Sequence, residues 1–214
     1  MSKEFIKRIL SSLILIPIAL FFILKGSIFF NFFILVVLLI TLYEWHLLSL
    51  KKNYYLLGFT FIVFSFYTFY FFRNDDDYKT FLLILIVCVA TDIGGYVFGK
   101  IFKGPKLGKI SPNKTYAGMF GSFLLSVISA SIYFNNLSFF FKPKDDGEIS
   151  IQIMIIVLFI SFVSQAGDLT ISFFKRKSKI KNTSNIIPGH GGLLDRIDGM
   201  IFAFPFTYIL LKIL

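Results

Sequence analysis

The sequence predicts an all-α, polytopic integral membrane protein with about seven transmembrane helices and two long cytoplasmic loops. Three observations carry that prediction. Hydrophobic residues make up 56% of the 214 residues and charged residues 16%, with a mean hydropathy of +0.78; a soluble globule is roughly 45–50% apolar and about 25% charged. Apolar runs recur that approach the ~20 residues needed to cross a bilayer. Lysine and arginine fall unevenly between alternate connecting segments, the positive-inside pattern. This composition fits neither a disordered chain nor a secreted disulfide scaffold nor a nucleic-acid-binding domain. The net charge of +10 therefore matters through its distribution, and no nucleic-acid partner is expected.

Taken in order, the first apolar run, Ile9–Leu24, follows Lys3, Lys7 and Arg8. A signal peptide is the competing reading, but no small-residue cleavage site follows, so a retained span is expected. After a break at Lys25 and Gly26 come Ser27–Tyr43, Tyr54–Phe72, Thr80–Gly99, Tyr116–Phe134, Ile149–Phe174 and Gly199–Leu214. The first, second and last runs are short, and tilt, interfacial aromatics or a hairpin at Gly26 must help them. With the N-terminus inside, the inner segments are Met1–Arg8, Glu44–Asn53, Lys100–Thr115 and Lys175–Asp198, which hold 16 of the 22 Lys and Arg. The outer connections carry acidic clusters instead, Asp75 to Asp77 and Asp145 with Asp146. The C-terminus is then outside, and the expected location is the cell inner (plasma) membrane. Cys88, the single cysteine, and the 30 Phe are expected to serve packing.

Two inner segments are too patterned to be plain turns. The first runs from Thr91-Asp92-Ile93-Gly94-Gly95-Tyr96 through Gly104-Pro105-Lys106 to Ser111-Pro112-Asn113-Lys114-Thr115-Tyr116-Ala117-Gly118. Glycine lets a backbone approach a ligand, and lysine neutralises phosphate oxygens. Ser111-Pro112 reads as a helix start, whose free N–H groups can hold a phosphate. An ordinary basic loop lying on anionic headgroups is the plainer reading.

The second segment carries Ser164-Gln165-Ala166-Gly167-Asp168-Leu169, then Ser172, Lys175 and Arg176, then Pro188-Gly189-His190-Gly191-Gly192 and Asp195-Arg196-Ile197-Asp198. Asp195 and Asp198 are three apart and share a helix face. Carboxylates beside apolar helices mark function or ion binding by default. Asp168, Asp195 and Asp198 among basic residues suit a hard cation such as Mg²⁺, which shares its shell with water and substrate phosphates. A salt-bridge cluster with Lys175 and Arg196 is the competing reading, but it leaves Gly-His-Gly-Gly unexplained, a run that implies backbone brought close to something. With one His and no Cys nearby, zinc is not expected, and Gly-x-Ser-x-Gly, Walker-A and His-Glu-x-x-His patterns are absent.

The run Ser172-x-Phe174-Lys175-Arg176, then Lys181, then Pro188-x-His190-Gly191-Gly192-Leu193-x-Asp195-Arg196-Ile197-Asp198 resembles the signature of the phosphatidate cytidylyltransferase (CDP-diacylglycerol synthase) family. The blocks Ser164–Leu169 and Ser111-Pro112-x-Lys114-Thr115-x-x-Gly118 are similar to two further blocks of that family, in the same order. The resemblance covers Thr91–Asp198 and departs from the family pattern at Asn182, usually Asp, and at Ala117, usually Glu. It implies a membrane enzyme that joins CTP to phosphatidic acid, releasing pyrophosphate and CDP-diacylglycerol. It implies that Asp168, Asp195 and Asp198 hold Mg²⁺, with K⁺ as an accompanying ion, and that they are catalytic together with His190. Ser111, Lys114, Thr115, Ser172, Lys175, Arg176 and Arg196 would bind substrate phosphates. The division expected is 1–79 as N-terminal transmembrane helices and 80–214 as the catalytic region, with cytoplasmic loops 100–115 and 175–198. Membrane lipids are expected partners, and a homodimer is left open. Three alternatives stand beside this: a CTP-dependent lipid kinase of the polyprenol or dolichol kind, a CDP-alcohol phosphotransferase, whose Asp-Gly-x-x-Ala-Arg block is missing here, and a cation transporter with Asp92 and Asp168 in its path.

Overall fold

The computed structural model describes residues 3–50, 52–74, 78–108, 111–140 and 151–213. These residues form eight helices: α1 (Lys3–Lys25), α2 (Ser27–Ser49), α3 (Tyr55–Asn74), α4 (Tyr78–Phe102), α5 (Tyr116–Phe140), α6 (Ile151–Lys177), the single turn α7 (Leu194–Ile197) and α8 (Met200–Ile213). Among the described residues the only β-type pairings are two isolated bridges. The acidic clusters at 75–77 and 145–146 lie outside the described residues.

Among the described residues five helices are long and apolar enough to cross a membrane: α2, α3, α4, α5 over Tyr116–Phe134, and α6. The apolar part of α1, Leu10–Lys25, and α8 are shorter. The 14 residues of α8 reach about 21 Å at 1.5 Å per residue, against a hydrocarbon core of ~30 Å.

Helix ends depart from the sequence expectation. The sequence ends the second span at Tyr43 and gives Glu44 to an inner loop, yet α2 continues to Ser49. Its last turns are sustained by partners. Ser49 Oγ donates to the Trp45 carbonyl at 2.6 Å, and Trp45 Nε1 donates to the Tyr55 carbonyl at 3.0 Å, tying α2 to α3. Polar residues do not end a helix when their groups are satisfied.

The α1–α2 connection is the break expected at Gly26, which has φ +67°. Arg73, from the end of α3, fills the space beside it. Its Nε donates to the Ile23 carbonyl at 2.9 Å, satisfying an end of α1 that lacks a helical partner. A Cβ on Gly26 would strike the Arg73 guanidinium.

Several phenylalanines build the core. Phe69 stacks on Phe204 with centroids 4.0 Å apart, and Phe81 meets both Phe204 and Phe30, joining α2, α3, α4 and α8. Cys88 is buried in this core. Leu13, Leu39, Phe159 and Ile132 instead lie exposed on the outer faces of their helices, the belt expected of lipid-facing surface.

The helices nearest the patterned loops approach more closely. Gly94, Gly95 and Gly99 of α4 face Gly118, Gly121 and Ser122 of α5. A Cβ on Gly94 would strike the Gly121 carbonyl, and one on Gly118 would lie 2.7 Å from the Gly95 carbonyl. Such small-residue seams let two backbones touch within a bilayer. Hydroxyls secure the same layer: Ser122 Oγ donates to the Thr91 carbonyl at 2.7 Å, and Thr91 Oγ1 to Ser161 Oγ at 2.8 Å, linking α5, α4 and α6.

Candidate active site

The first patterned loop folds back on itself. Leu107 N–H donates to the Lys114 carbonyl at 2.9 Å, and Tyr116 N–H to the Pro105 carbonyl at 3.1 Å. The helix start expected at Ser111-Pro112 lies further on. Ser111 opens a turn closed by Lys114 N–H on its carbonyl, and α5 begins at Tyr116. Thr115 is the cap, its Oγ1 accepting the Gly118 N–H at 3.1 Å. This loop directs Lys114 across to α6, where its Nζ lies 2.6 Å from Asp168 Oδ2.

On α6, Asp168, Ser172 and Lys175 are spaced by four and three residues and share one face. Ser172 Oγ donates to Asp168 Oδ1 at 3.2 Å. Lys175 Nζ reaches Asp195 Oδ1 at 2.6 Å, with side chains only 12% and 8% exposed. Arg176, one residue on, is exposed. Lys114–Asp168 and Lys175–Asp195 are the ion pairs among the described residues.

The segment after α6 has little regular structure, and one buried carboxylate organises it. Glu44, near the end of α2 and fully buried, accepts four hydrogen bonds. Thr183 Oγ1 donates to its Oε2 at 2.8 Å and Ser184 Oγ to its Oε1 at 2.6 Å. Leu193 N–H and Leu194 N–H, at the start of α7, donate at 2.8 and 2.7 Å. A carboxylate at a helix N-terminus is favoured by the free N–H groups there. Thr183 also gives its N–H to Asp195 Oδ2 at 2.9 Å, and Gly192 N–H donates to the same oxygen at 3.2 Å. A Cβ on Gly192 would strike Thr183 Oγ1 and lie 2.6 Å from Glu44 Oε2. The close approach that Gly-His-Gly-Gly implied is therefore made in part to the protein's own Glu44. Gly191 has φ +89°, a conformation that favours glycine, and packs against the Asn182 side chain.

The three aspartates separate into two settings. Asp195 has both oxygens engaged by Lys175, Thr183 and Gly192. Asp198 is buried, and one of its oxygens accepts the Gly199 N–H at 2.9 Å. Burial pushes the Asp198 carboxyl well above the ordinary carboxylate range; the negative charges of Asp168 and Asp92 push further, and Lys175 and the Gly199 N–H oppose them. The charges of Asp92, Asp168 and Asp198 thus repel one another across α4, α6 and the junction of α7 with α8. Among the described residues no three acidic, His or Cys side chains cage an ion unaided. Hard oxygen donors whose mutual repulsion Lys114 and Lys175 oppose only in part nevertheless fit a hard cation that completes its shell with water and phosphate. Asp168 and Asp198 fit that role; Asp195, already saturated with donors, fits the task of holding Lys175.

His190 turns to α1. Its Nδ1 lies 2.8 Å from Ser11 Oγ and its Nε2 3.3 Å from Ser12 Oγ. Arg196 donates to the His190 carbonyl at 2.6 Å. Ser111 and Thr115 serve the loop and the α5 cap described above, while Lys114, Ser172 and Lys175 line the carboxylates directly. Sequence reasoning missed Glu44, which sits in no motif and whose partners lie 139 to 150 residues away.

Over residues 51–214 the sequence matches the cytidylyltransferase family. It is 32% identical over 211 residues to a phosphatidate cytidylyltransferase of Rickettsia felis, covering 95% of this chain and 90% of the relative. A Rickettsia typhi protein of the same name is 33% identical over 207 residues, covering 92% and 88%. The Bacillus subtilis phosphatidate cytidylyltransferase is 39% identical over 144 residues, 66% of this chain and 51% of the relative. The matched region holds both patterned loops and all three aspartates, and the chain belongs to the cytidylyltransferase family.

Proposed function

We propose that this chain transfers the cytidylyl group of CTP to phosphatidic acid, giving CDP-diacylglycerol and pyrophosphate for phospholipid synthesis. The observation that carries the reading is the grouping of Asp168, Asp198, Lys114, Lys175 and Ser172 at the ends of membrane helices, within the region that matches the family. A phosphate oxygen of the lipid attacks the α-phosphorus of CTP, and the bond from that phosphorus to the bridging oxygen breaks as pyrophosphate leaves. The lipid phosphate is already an anion, so no Ser or Cys nucleophile is required. The work left to the protein is positioning and charge stabilisation.

Lys175, fixed by Asp195, offers a cation of set position to the CTP phosphates. Lys114, partly exposed on Asp168, can leave that carboxylate for a phosphate oxygen, and exposed Arg176 follows Lys175 at the end of α6. Mg²⁺ held by Asp168 and Asp198 would offset charge on the CTP phosphates and on the departing pyrophosphate. Thr115 and the glycine seam set the α5 end, and with it Lys114. We place this end of the bundle on the cytoplasmic side of the inner membrane, because 16 of the 22 Lys and Arg lie on the segments assigned there. In this arrangement α1 and α8 also cross, by tilting or locally thinning the bilayer.

The test is product analysis with purified protein in lipid–detergent micelles. CTP labelled in the β- or γ-phosphate, given phosphatidic acid and Mg²⁺, is expected to release labelled pyrophosphate in step with CDP-diacylglycerol. Release of CDP with phosphorylation of a polyprenol, and no reaction with phosphatidic acid, would establish the lipid-kinase alternative instead.

A further inference from the structure

From the geometry of its end of α2, we infer that Glu44 is a positioning residue for the CTP phosphates, acting through Thr183, Asp195 and Lys175. This rests on the cytidylyltransferase reading and names a residue that lies before the stretch matched by the family model, residues 51–214. A carboxylate has about four acceptor positions, and here four donors reach it: two hydroxyls and two backbone N–H groups. Among the described residues no cation pairs with it, so Glu44 holds the loop by hydrogen bonds to a negative charge, which are stronger than neutral ones.

The segment between α6 and α7 is thereby tied to α2 at both ends, at Thr183 and Ser184 and again at Leu193 and Leu194. Between those ties sit Gly191 and Gly192, and directly after them Asp195. Thr183 is the joint, since it donates its hydroxyl toward Glu44 and its N–H to Asp195. Asp195 in turn sets Lys175 Nζ at 2.6 Å. The chain of contacts therefore runs from a helix with no motif of its own to the cation assigned to the nucleotide.

Replacing the carboxylate by an amide tests this. In Glu44→Gln one oxygen becomes an NH₂ group, and either orientation points it at a backbone N–H of Leu193 or Leu194. The full chain in micelles is compared with its parent for thermal midpoint, for amide hydrogen exchange at Leu193 and Leu194 without substrate, and for KM of each substrate. Faster exchange confined to the loop is expected, with KM for CTP raised about ten-fold, the loss of one charge-assisted hydrogen bond, and KM for phosphatidic acid within about two-fold. Ser184→Ala, which removes one donor and keeps the carboxylate, is expected to shift KM for CTP in the same direction by a smaller factor, and decides the matter should Glu44→Gln fail to fold. A lower thermal midpoint with both KM values unchanged in these variants would overturn the inference. An inert parent would overturn the cytidylyltransferase reading, whereas exchange at Leu193 and Leu194, read without substrate, still reports on the tie to Glu44.

Discussion

Asp198→Asn is expected to lower CDP-diacylglycerol formation by about 10²–10³-fold, as when an electrostatic group aimed at the transition state is lost. The same variant should be at least as heat-stable as the parent in metal-free buffer. The Asp198 carboxyl is pushed up by burial first and then by Asp168 and Asp92. A group that titrates higher in the folded than in the unfolded state gives its full stabilisation below the unfolded value and loses it as pH rises through the folded value. Ionising this carboxyl in the folded protein is therefore a cost, and the amide removes the ionisable group at almost constant volume. Added Mg²⁺ should raise the thermal midpoint of the parent, by mass action on the folded state, and leave that of Asp198→Asn nearly unmoved. Parent-like turnover together with an undiminished Mg²⁺ response would remove Asp198 from the site.

Lys175→Met is expected to act on stability as well as on rate. It leaves Asp195 charged, 8% exposed and without its cation, and breaking a buried pair from one side costs about 3–5 kcal/mol. Thr183 and Gly192 still donate to Asp195, which places this case near the lower bound. Adding Asp195→Asn to Lys175→Met removes the stranded charge, keeps an acceptor for the Thr183 and Gly192 N–H groups, and should recover most of the thermal midpoint. Activity should stay low in both, because neither restores a cation for the nucleotide. Recovery of activity in the double variant would mean that Lys175 serves only to neutralise Asp195.

Much of this architecture was written in local sequence, and what was not has a physical reason. The apolar runs located the helices well, because burial in lipid demands length and hydropathy and little else. The ends were less legible. Glu44, Trp45 and His46 read as loop residues because they are polar or amphipathic, and their helical state depends on partners supplied by α3 and by residues 183–194. Thr115, not Ser111-Pro112, caps α5 because Ser111 is held in a turn whose pairing with Lys114 no local propensity announces.

The candidate site shows the same division. The sequence marked Asp168, Ser172 and Lys175 as candidates, and α6 carries all three, Ser172 on Asp168 and Lys175 on Asp195. The i, i+3 spacing of Asp195 and Asp198 suggested a shared ion; in the structure Asp195 pairs with Lys175, while Asp198 is buried within reach of the charges of Asp168 and Asp92. A side chain's choice between neighbours is made in three dimensions. The glycine run before Asp195 did signal close approach; nothing local could name Glu44 as the group approached.

The glycine seam between α4 and α5 bears on how this protein could be repaired after damage. At Gly58 the neighbour that a new methyl would strike is the indole of Trp45, a side chain, so a smaller residue at position 45 can make room. At Gly94 and Gly118 the neighbour is main-chain carbonyl, at Gly121 and Gly95 respectively. Every residue type carries that same carbonyl, so no second-site substitution on the opposing helix can give way. A lesion at Gly58 therefore has intragenic suppressors available within contact distance, while one at Gly94 or Gly118 is reversible only at its own codon or by shifting a whole helix, and Lys114 with it.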